Sequence, residues 1–192
     1  MASLYADIVN GNDTTGNGSF ANPWATLQKL LDSAVASTDD CYLRAGTYIL
    51  TASYLKNSPY PRSLQSYNSE NVKITCNTPS AGYQLRINAS AGNRFYFQDI
   101  TFENLGSGTA STTCGVTAVS GSVLYNRCNF IQTSANTQLN NAFVFFNSSE
   151  FGCFKNCNFI NNKSIGRTTN LVGNSNIENL VAIGCFLDNG VS

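Results

Sequence analysis

The chain has 192 residues, enough for one domain, with 11 basic and 11 acidic residues, no histidine and a formal charge of zero. That balance leaves no electrostatic footprint for nucleic acid or an anionic membrane, so neither is expected as a partner, and no histidine can serve as a catalytic base. No basic segment followed by an apolar stretch opens the chain, so no signal peptide is expected, and no apolar run approaches the roughly 20 residues of a membrane span.

Residues 4–22 read as a short strand followed by a loop rich in Gly, Asn and Thr. Pro23 is suited to the first turn of a helix, where its missing N–H costs nothing. Trp24, Leu27, Leu30, Leu31 and Ala34 recur at helical spacing, which predicts an amphipathic helix over 23–36. Residues 39–48, Asp-Asp-Cys-Tyr-Leu-Arg-Ala-Gly-Thr-Tyr, read as a strand with a glycine turn.

The series Asp13, Gly16-Asn-Gly, Asn22-Pro23-Trp24-Ala-Thr-Leu27, then the helix, then Tyr42-Leu-Arg-Ala-Gly46-Thr-Tyr48, resembles the N-terminal entry of right-handed parallel β-helix proteins of the pectate-lyase-like superfamily. The resemblance covers about residues 5–48. It implies that the helix plugs the first open end of a solenoid. It says little about function, because that superfamily holds polysaccharide lyases and hydrolases, phage tailspikes and virion proteins without chemistry.

Residues 49–68, with Pro59 and Pro61 and many Ser, Asn and Tyr, read as an irregular loop thrown out from one coil. Val72, Ile74 and Cys76 resume alternation. From there a repeat emerges. Phe97, Tyr125, Phe154 and Ala182 form a first column, Ile100, Cys128, Cys157 and Cys185 a second, and Phe102, Phe130, Phe159 and Leu187 a third. The steps are 28, 29 and 28 residues, a period that marks stacked units unable to bury their apolar faces alone. The second and third columns lie two residues apart, the strand period. The pairs Gln98-Asp99, Asn126-Arg127, Lys155-Asn156 and Ile183-Gly184 fall where the chain would bend. A second family of strands lies at 83–87, 114–118, 142–146 and 170–172, and 105–113 and 132–141 read as loops.

The expected fold is therefore all-β: a short right-handed parallel β-helix of about six coils with an N-terminal capping α-helix. Residues 1–48 form the cap (strand, loop, helix 23–36, first coil strand) and 49–192 the coils. At about 4.8 Å per strand the solenoid would be about 30 Å long. After Asn189-Gly-Val-Ser192 nothing remains to cover the last coil, so a neighbouring chain is expected there.

The seven cysteines are 41, 76, 114, 128, 153, 157 and 185. Three occupy one inward column, where free cysteine behaves as a small hydrophobe, so buried thiols are expected. Zinc is the sharper alternative, but there is no Cys-x-x-Cys; some disulfide pairing is the other. No cofactor and no metal site is expected.

Polysaccharide cleavage on such a fold needs clustered carboxylates. The carboxylates are Asp7, Asp13, Asp32, Asp39, Asp40, Glu70, Asp99, Glu103, Glu150, Glu178 and Asp188. The repeat sets Asp99 beside Arg127, which reads as a cross-coil ion pair. Glu103 and Asp188 share a column but are separated by Ile131 and Ile160. No two carboxylates are expected to stack on adjacent coils, so no catalytic residue is assigned. Nucleophile motifs and phosphate-binding glycine loops are absent, and Gly106-Ser-Gly108 is a loop signal only. Tyr54, Tyr60, Tyr67 and Tyr83 surround the 49–68 loop; they read as packing it onto the wall or touching a protein, with sugar contact as the alternative. Asn104, Asn161 and Asn189, interrupted by Gln132, read as a structural amide ladder. Asn147-Ser-Ser149 would matter as a glycosylation signal only on a secretory route.

Together with the resemblance, these features lead to the expectation of a non-enzymatic structural virion protein of a bacteriophage. It would be a capsid decoration or cement protein, assembled in the host cytoplasm, where thiols stay reduced. Its partners would be further copies of itself, as a trimer by family analogy, and the major capsid protein. The alternatives are a tailspike or tail-fibre component binding host polysaccharide, and a small polysaccharide lyase or hydrolase.

Overall fold

The structure, a computed structural model, describes residues 1–52, 54–76, 85–87, 94–104, 116–132, 144–161, 172–174 and 177–188. In chain order the strands are β1 (Ser3–Ala6), β2 (Asp40–Leu43), β3 (Gly46–Leu50), β4 (Tyr54–Lys56), β5 (Ser63–Ser66), β6 (Val72–Cys76), β7 (Leu85–Ile87), β8 (Arg94–Gln98), β9 (Ile100–Asn104), β10 (Val116–Asn126), β11 (Asn129–Gln132), β12 (Val144–Lys155), β13 (Asn158–Asn161), β14 (Val172–Asn174), β15 (Ile177–Ile183) and β16 (Phe186–Asp188). One helix, α1 (Leu27–Ser33), lies between β1 and β2.

The strands form two parallel sheets, so the chain is all-β with little helix. The second sheet is a single row, β3-β6-β9-β11-β13-β16. In the first, the long strands β10 and β12 pair along their N-terminal halves with β7 and β14, and along their C-terminal halves with β8 and β15. From β8 the row continues through β5 and β2 to β1, while β4 joins β7. The chain crosses repeatedly from one sheet to the other and returns one strand further along.

The registers reproduce the repeat. Phe97, Tyr125, Phe154 and Ala182 are successive partners in the first sheet, and Phe102, Phe130, Phe159 and Leu187 in the second. The single 29-residue step has a local cause. Gly121 pairs with Ser149, but Ser122 pairs with Phe151, so Glu150 is an inserted residue and β12 is bulged there. Rings of like column stack: Phe97 on Tyr125 at 4.9 Å, Tyr125 on Phe154 at 5.0 Å, Phe102 on Phe130 at 5.3 Å and Phe130 on Phe159 at 4.9 Å. Strand spacing is close to the separation that suits offset aromatic pairs, so the ladder sets the stacking distance. Ile100, Cys128 and Cys157 are fully buried between the two ring columns, and Cys185 is half-buried against the same core. Ala182, at the last pass, is exposed.

The predicted helix is too long at both ends. Trp24 is extended: it bridges Ala6, its N–H donates to the Tyr5 carbonyl at 3.1 Å, and its carbonyl accepts from Asp7 N–H at 2.8 Å. Pro23 therefore precedes a strand-like contact rather than the first helical turn. Thr26 is the N-cap, and its hydroxyl accepts from Lys29 N–H at 3.1 Å. Asp13 fixes that cap, accepting from Ala25 N–H, Thr26 N–H and the Thr26 hydroxyl at 2.8, 3.1 and 2.7 Å. The helix buries Leu27, Leu30 and Leu31 and packs against β1, β2 and β4.

The loop reading of 49–68 is also corrected. β3 runs through residue 50, and β4 and β5 are members of the first sheet. β5 is polar in sequence, Ser-Leu-Gln-Ser, yet it is largely buried. Its Ser63 hydroxyl donates to the buried Asp40 carboxylate at 2.6 Å, so the strand is held by a side-chain hydrogen bond that an apolar pattern does not reveal.

Candidate functional site

The corners between the sheets are built from residues in the left-handed region. Asp99, Arg127, Asn156 and Gly184 have φ of 57°, 52°, 53° and 61°. In that conformation each of the first three donates its N–H to a carbonyl of the next pass: Asp99 to Asn126 at 3.1 Å, Arg127 to Lys155 at 2.9 Å and Asn156 to Ile183 at 2.8 Å. The cysteine after the corner points inward and donates its thiol to the carbonyl two residues back, Cys128 to Asn126 at 3.6 Å and Cys157 to Lys155 at 3.4 Å. Cys157 also reaches the Tyr125 carbonyl at 3.5 Å. The thiols thus add a second donor to corner carbonyls that already accept an N–H, Asn126 from Asp99 and Lys155 from Arg127. Among the described residues, Cys41, Cys128, Cys153, Cys157 and Cys185 are free thiols, and no cluster of three or more His, Cys, Asp or Glu could hold a metal ion. Burial pushes the Cys41 and Cys128 thiols well up. Cys114 lies outside the described residues.

The carboxylates whose side chains are described all make structural bonds. Asp7 accepts from Val9 and Asn10, and Asp39 from Ala2 and Ala36. Asp13 holds the helix cap, and Asp32 accepts from the Tyr54 hydroxyl at 2.6 Å. Asp40 pairs with Arg62, Glu70 with Arg44 at 3.0 Å, and Glu103 with Lys73 at 2.8 Å. Asp99 pairs with Arg127 in a two-pronged contact of 2.6 and 2.7 Å and also takes the Ser69 hydroxyl at 3.2 Å, as the repeat predicts for the first of these. Burial alone would raise the Asp99 carboxyl; the hydrogen bond and charge of Arg127 outweigh it and hold it below the usual carboxylate range.

The side chains of Glu150, Glu178 and Asp188 lie outside the described residues. Ser149 pairs with Ile177 and Phe151 with Asn179, so the backbones of residues 150 and 178 lie between consecutive paired positions of β12 and β15. Glu103 and Asp188 are separated by Ile131 and Ile160 as expected.

The tyrosines divide. Tyr54 and Tyr60 are buried and pack the wall. Tyr83 lies outside the described residues. Tyr67 joins a half-exposed aromatic cluster that the sequence reading missed. Tyr5 and Tyr42 are paired across β1 and β2 and stack at 5.2 Å; Phe20 and Tyr67 lie 5.4 and 5.7 Å from Tyr5 and 5.2 Å from each other. The Arg44 guanidinium lies 5.1 Å from the Phe20 ring centre and 5.4 Å from that of Tyr67, and Phe20 stays 49% exposed. In register with Tyr42 run Gln65, Gln98, Asn126 and Lys155, and the Asn126 amide donates to Gln98 at 3.3 Å. An aromatic platform beside a row of amides is a surface that can stack on a flat apolar face and hydrogen-bond its polar edge.

The expected amide ladder is in backbone register for Asn104, Gln132 and Asn161, while Asn189 lies outside the described residues. The ladder seen in side chains is another one: Asn158 donates to Asn129 at 2.7 Å, and Asn129 to the Thr101 hydroxyl at 3.3 Å.

A groove of about 280 Å³ separates α1 from β3, lined by Ile8, Leu27, Tyr48, Ile49, Leu50 and Tyr54 among others. Among the described residues no helix is long and apolar enough to cross a membrane. No family model, no curated protein and no solved structure matches the chain.

Proposed function

We propose that the chain is a short right-handed parallel β-helix, plugged at one end by α1, and that it is a non-enzymatic structural protein of a bacteriophage particle. In this reading it decorates and cements the capsid shell, contacting the major capsid protein and further copies of itself in a threefold assembly, and its thiols remain reduced because it assembles in the host cytoplasm. The β-helix part is supported by two all-parallel sheets that the chain visits in turn, with a nearly constant step from β8 onward. The observation that carries the functional part is the engagement of the described carboxylates: each holds a cap, a corner or a strand, and the bonds are those of a scaffold.

The test is electron cryo-microscopy of the phage particle that contains this chain. Density of its size at regular positions on the capsid lattice is the expected result. Density only at the tail, or none, overturns it. A second reading, a tail component adhering to host polysaccharide, is favoured by the Tyr5–Phe20–Tyr42–Tyr67 platform and its amide row. Binding of capsular polysaccharide that is lost in Tyr42→Ala would support it. Cleavage of such a polymer, abolished by Glu150→Gln, would replace both with the lyase or hydrolase reading.

A further inference from the structure

β3 is the terminal strand of the second sheet, paired on one side only, with β6. In a parallel ladder the N–H and C=O of one residue point to the same side, and sides alternate along the strand. Gly46 donates to Asn71 on the β6 side at 3.1 Å. Gly46, Tyr48 and Leu50 therefore face β6, and the N–H and C=O of Thr47 and Ile49 face away. Among the described residues nothing pairs with them. The strand reads Gly-Thr-Tyr-Ile-Leu, with no charge, no proline and no bulge in its register, so it lacks the usual devices that keep an edge from pairing. Ile49 is 60% exposed, Ile8 beside it is 39% exposed, and the groove opens next to both.

We infer that this edge is a contact between two copies of the chain, related by a twofold axis, in which β3 pairs antiparallel with its counterpart. The occupant follows from the strand's own geometry. A twofold axis at Tyr48 sets Thr47 opposite Ile49 of the second copy and the reverse. These are the residues whose groups point outward, so each pair exchanges both N–H···O=C bonds and four donors are satisfied at once. Tyr48 meets its counterpart as a non-hydrogen-bonded pair, which its bonding to β6 allows. The edge carries no charge, so apposing two copies meets no like-charge repulsion, and the exposed Ile49 side chains cover each other diagonally. A proline-bearing peptide would satisfy fewer of these groups, because proline has no N–H to donate. The contact is independent of the role proposed above and separate from any threefold assembly, so either can fail alone.

The test is sedimentation equilibrium over a range of concentrations, with hydrogen exchange read at Thr47 and Ile49. The expected species at high concentration has twice the 20.7 kDa chain mass, and both amides become protected as it forms. Ile49→Lys, at an exposed position, should weaken association by about tenfold or more because a charge is set against an apolar partner, while the far-UV spectrum is unchanged. A chain that stays monomeric, an oligomer indifferent to Ile49→Lys, or amides whose protection does not vary with concentration would each overturn the inference. The last outcome would assign the edge to the chain's own residues. Should the variant misfold, the concentration dependence of the two wild-type amides decides alone.

Discussion

Asp99, Arg127, Asn156 and Gly184 show how little side-chain chemistry a corner demands and how much backbone it needs. All four adopt positive φ, yet only the last is glycine. A left-handed L-residue costs about 1–2 kcal/mol, and the N–H bonds to the next pass, with the Asp99–Arg127 pair, offset part of that. A Cβ at Gly184 would lie 2.6 Å from the Asn156 amide oxygen, which would have to turn aside, in addition to the cost of the left-handed backbone. Gly184→Ala should therefore lower stability by about 1–2 kcal/mol, measured by urea unfolding; an unchanged midpoint would count against the corner geometry. The Asp99–Arg127 pair, with Arg127 half-exposed, should contribute about 1 kcal/mol or less. Its pH dependence has a definite sign. The folded Asp99 carboxyl lies below its ordinary value of 3.8, so its stabilisation is complete above the ordinary range and is lost as pH falls through 3.8 and then through the folded value. The melting difference between wild type and Asp99→Asn should shrink on going from neutral pH into that acid range. A difference that grows there would contradict the pairing.

At the scale of strands and helix, the stacked rings carry the packing, and one of them carries a defect. Tyr125 is fully buried between Phe97 and Phe154, and its hydroxyl has no hydrogen-bond partner among the described residues. An unsatisfied buried hydroxyl costs about 1–3 kcal/mol. Tyr125→Phe keeps the ring and should raise stability by about 1 kcal/mol or more, seen as a higher melting temperature. A lower one would mean that the hydroxyl has a partner. These columns were legible in the sequence because their spacing is nearly constant. β4 and β5 were not, since Cys41 pairs with Leu64 and Leu64 with Phe97. Those steps, 23 and 33 residues, break the period, and β5 is polar. The helix start was misread for a related reason: Trp24 satisfies the helical spacing while its backbone serves β1. The Tyr5–Tyr42 pair was hidden by a 37-residue separation. The bulge at Glu150 shows in the sequence only as the longer step between Tyr125 and Phe154, because it lies away from the three columns.

For the molecule as a whole, the two sheets meet along one apolar seam formed by the ring columns and the thiol column. From β8–β9 to β12–β13 each pass stacks its two rings on those of the pass before, a nearest-neighbour contact that repeats along the stack. What distinguishes one pass from the next is surface: aromatic at Tyr5, Tyr42 and Tyr67, amide at Asn129 and Asn158, ion-paired at Asp99 and Arg127. The sequence pattern reaches the seam because burial imposes it at a fixed interval; it does not reach these surfaces, where no interval is imposed. The claim on which the rest depends is that Ile100, Cys128, Cys157 and Cys185 succeed one another in a single closed column. A crystal structure grown with calcium present tests it most directly. Those four side chains are expected at successive strand spacings of about 4.8 Å, with no ion held between Glu150 and Glu178. Side chains scattered to different layers would contradict the fold, and a calcium ion seated between the two glutamates would contradict the inert scaffold built on it.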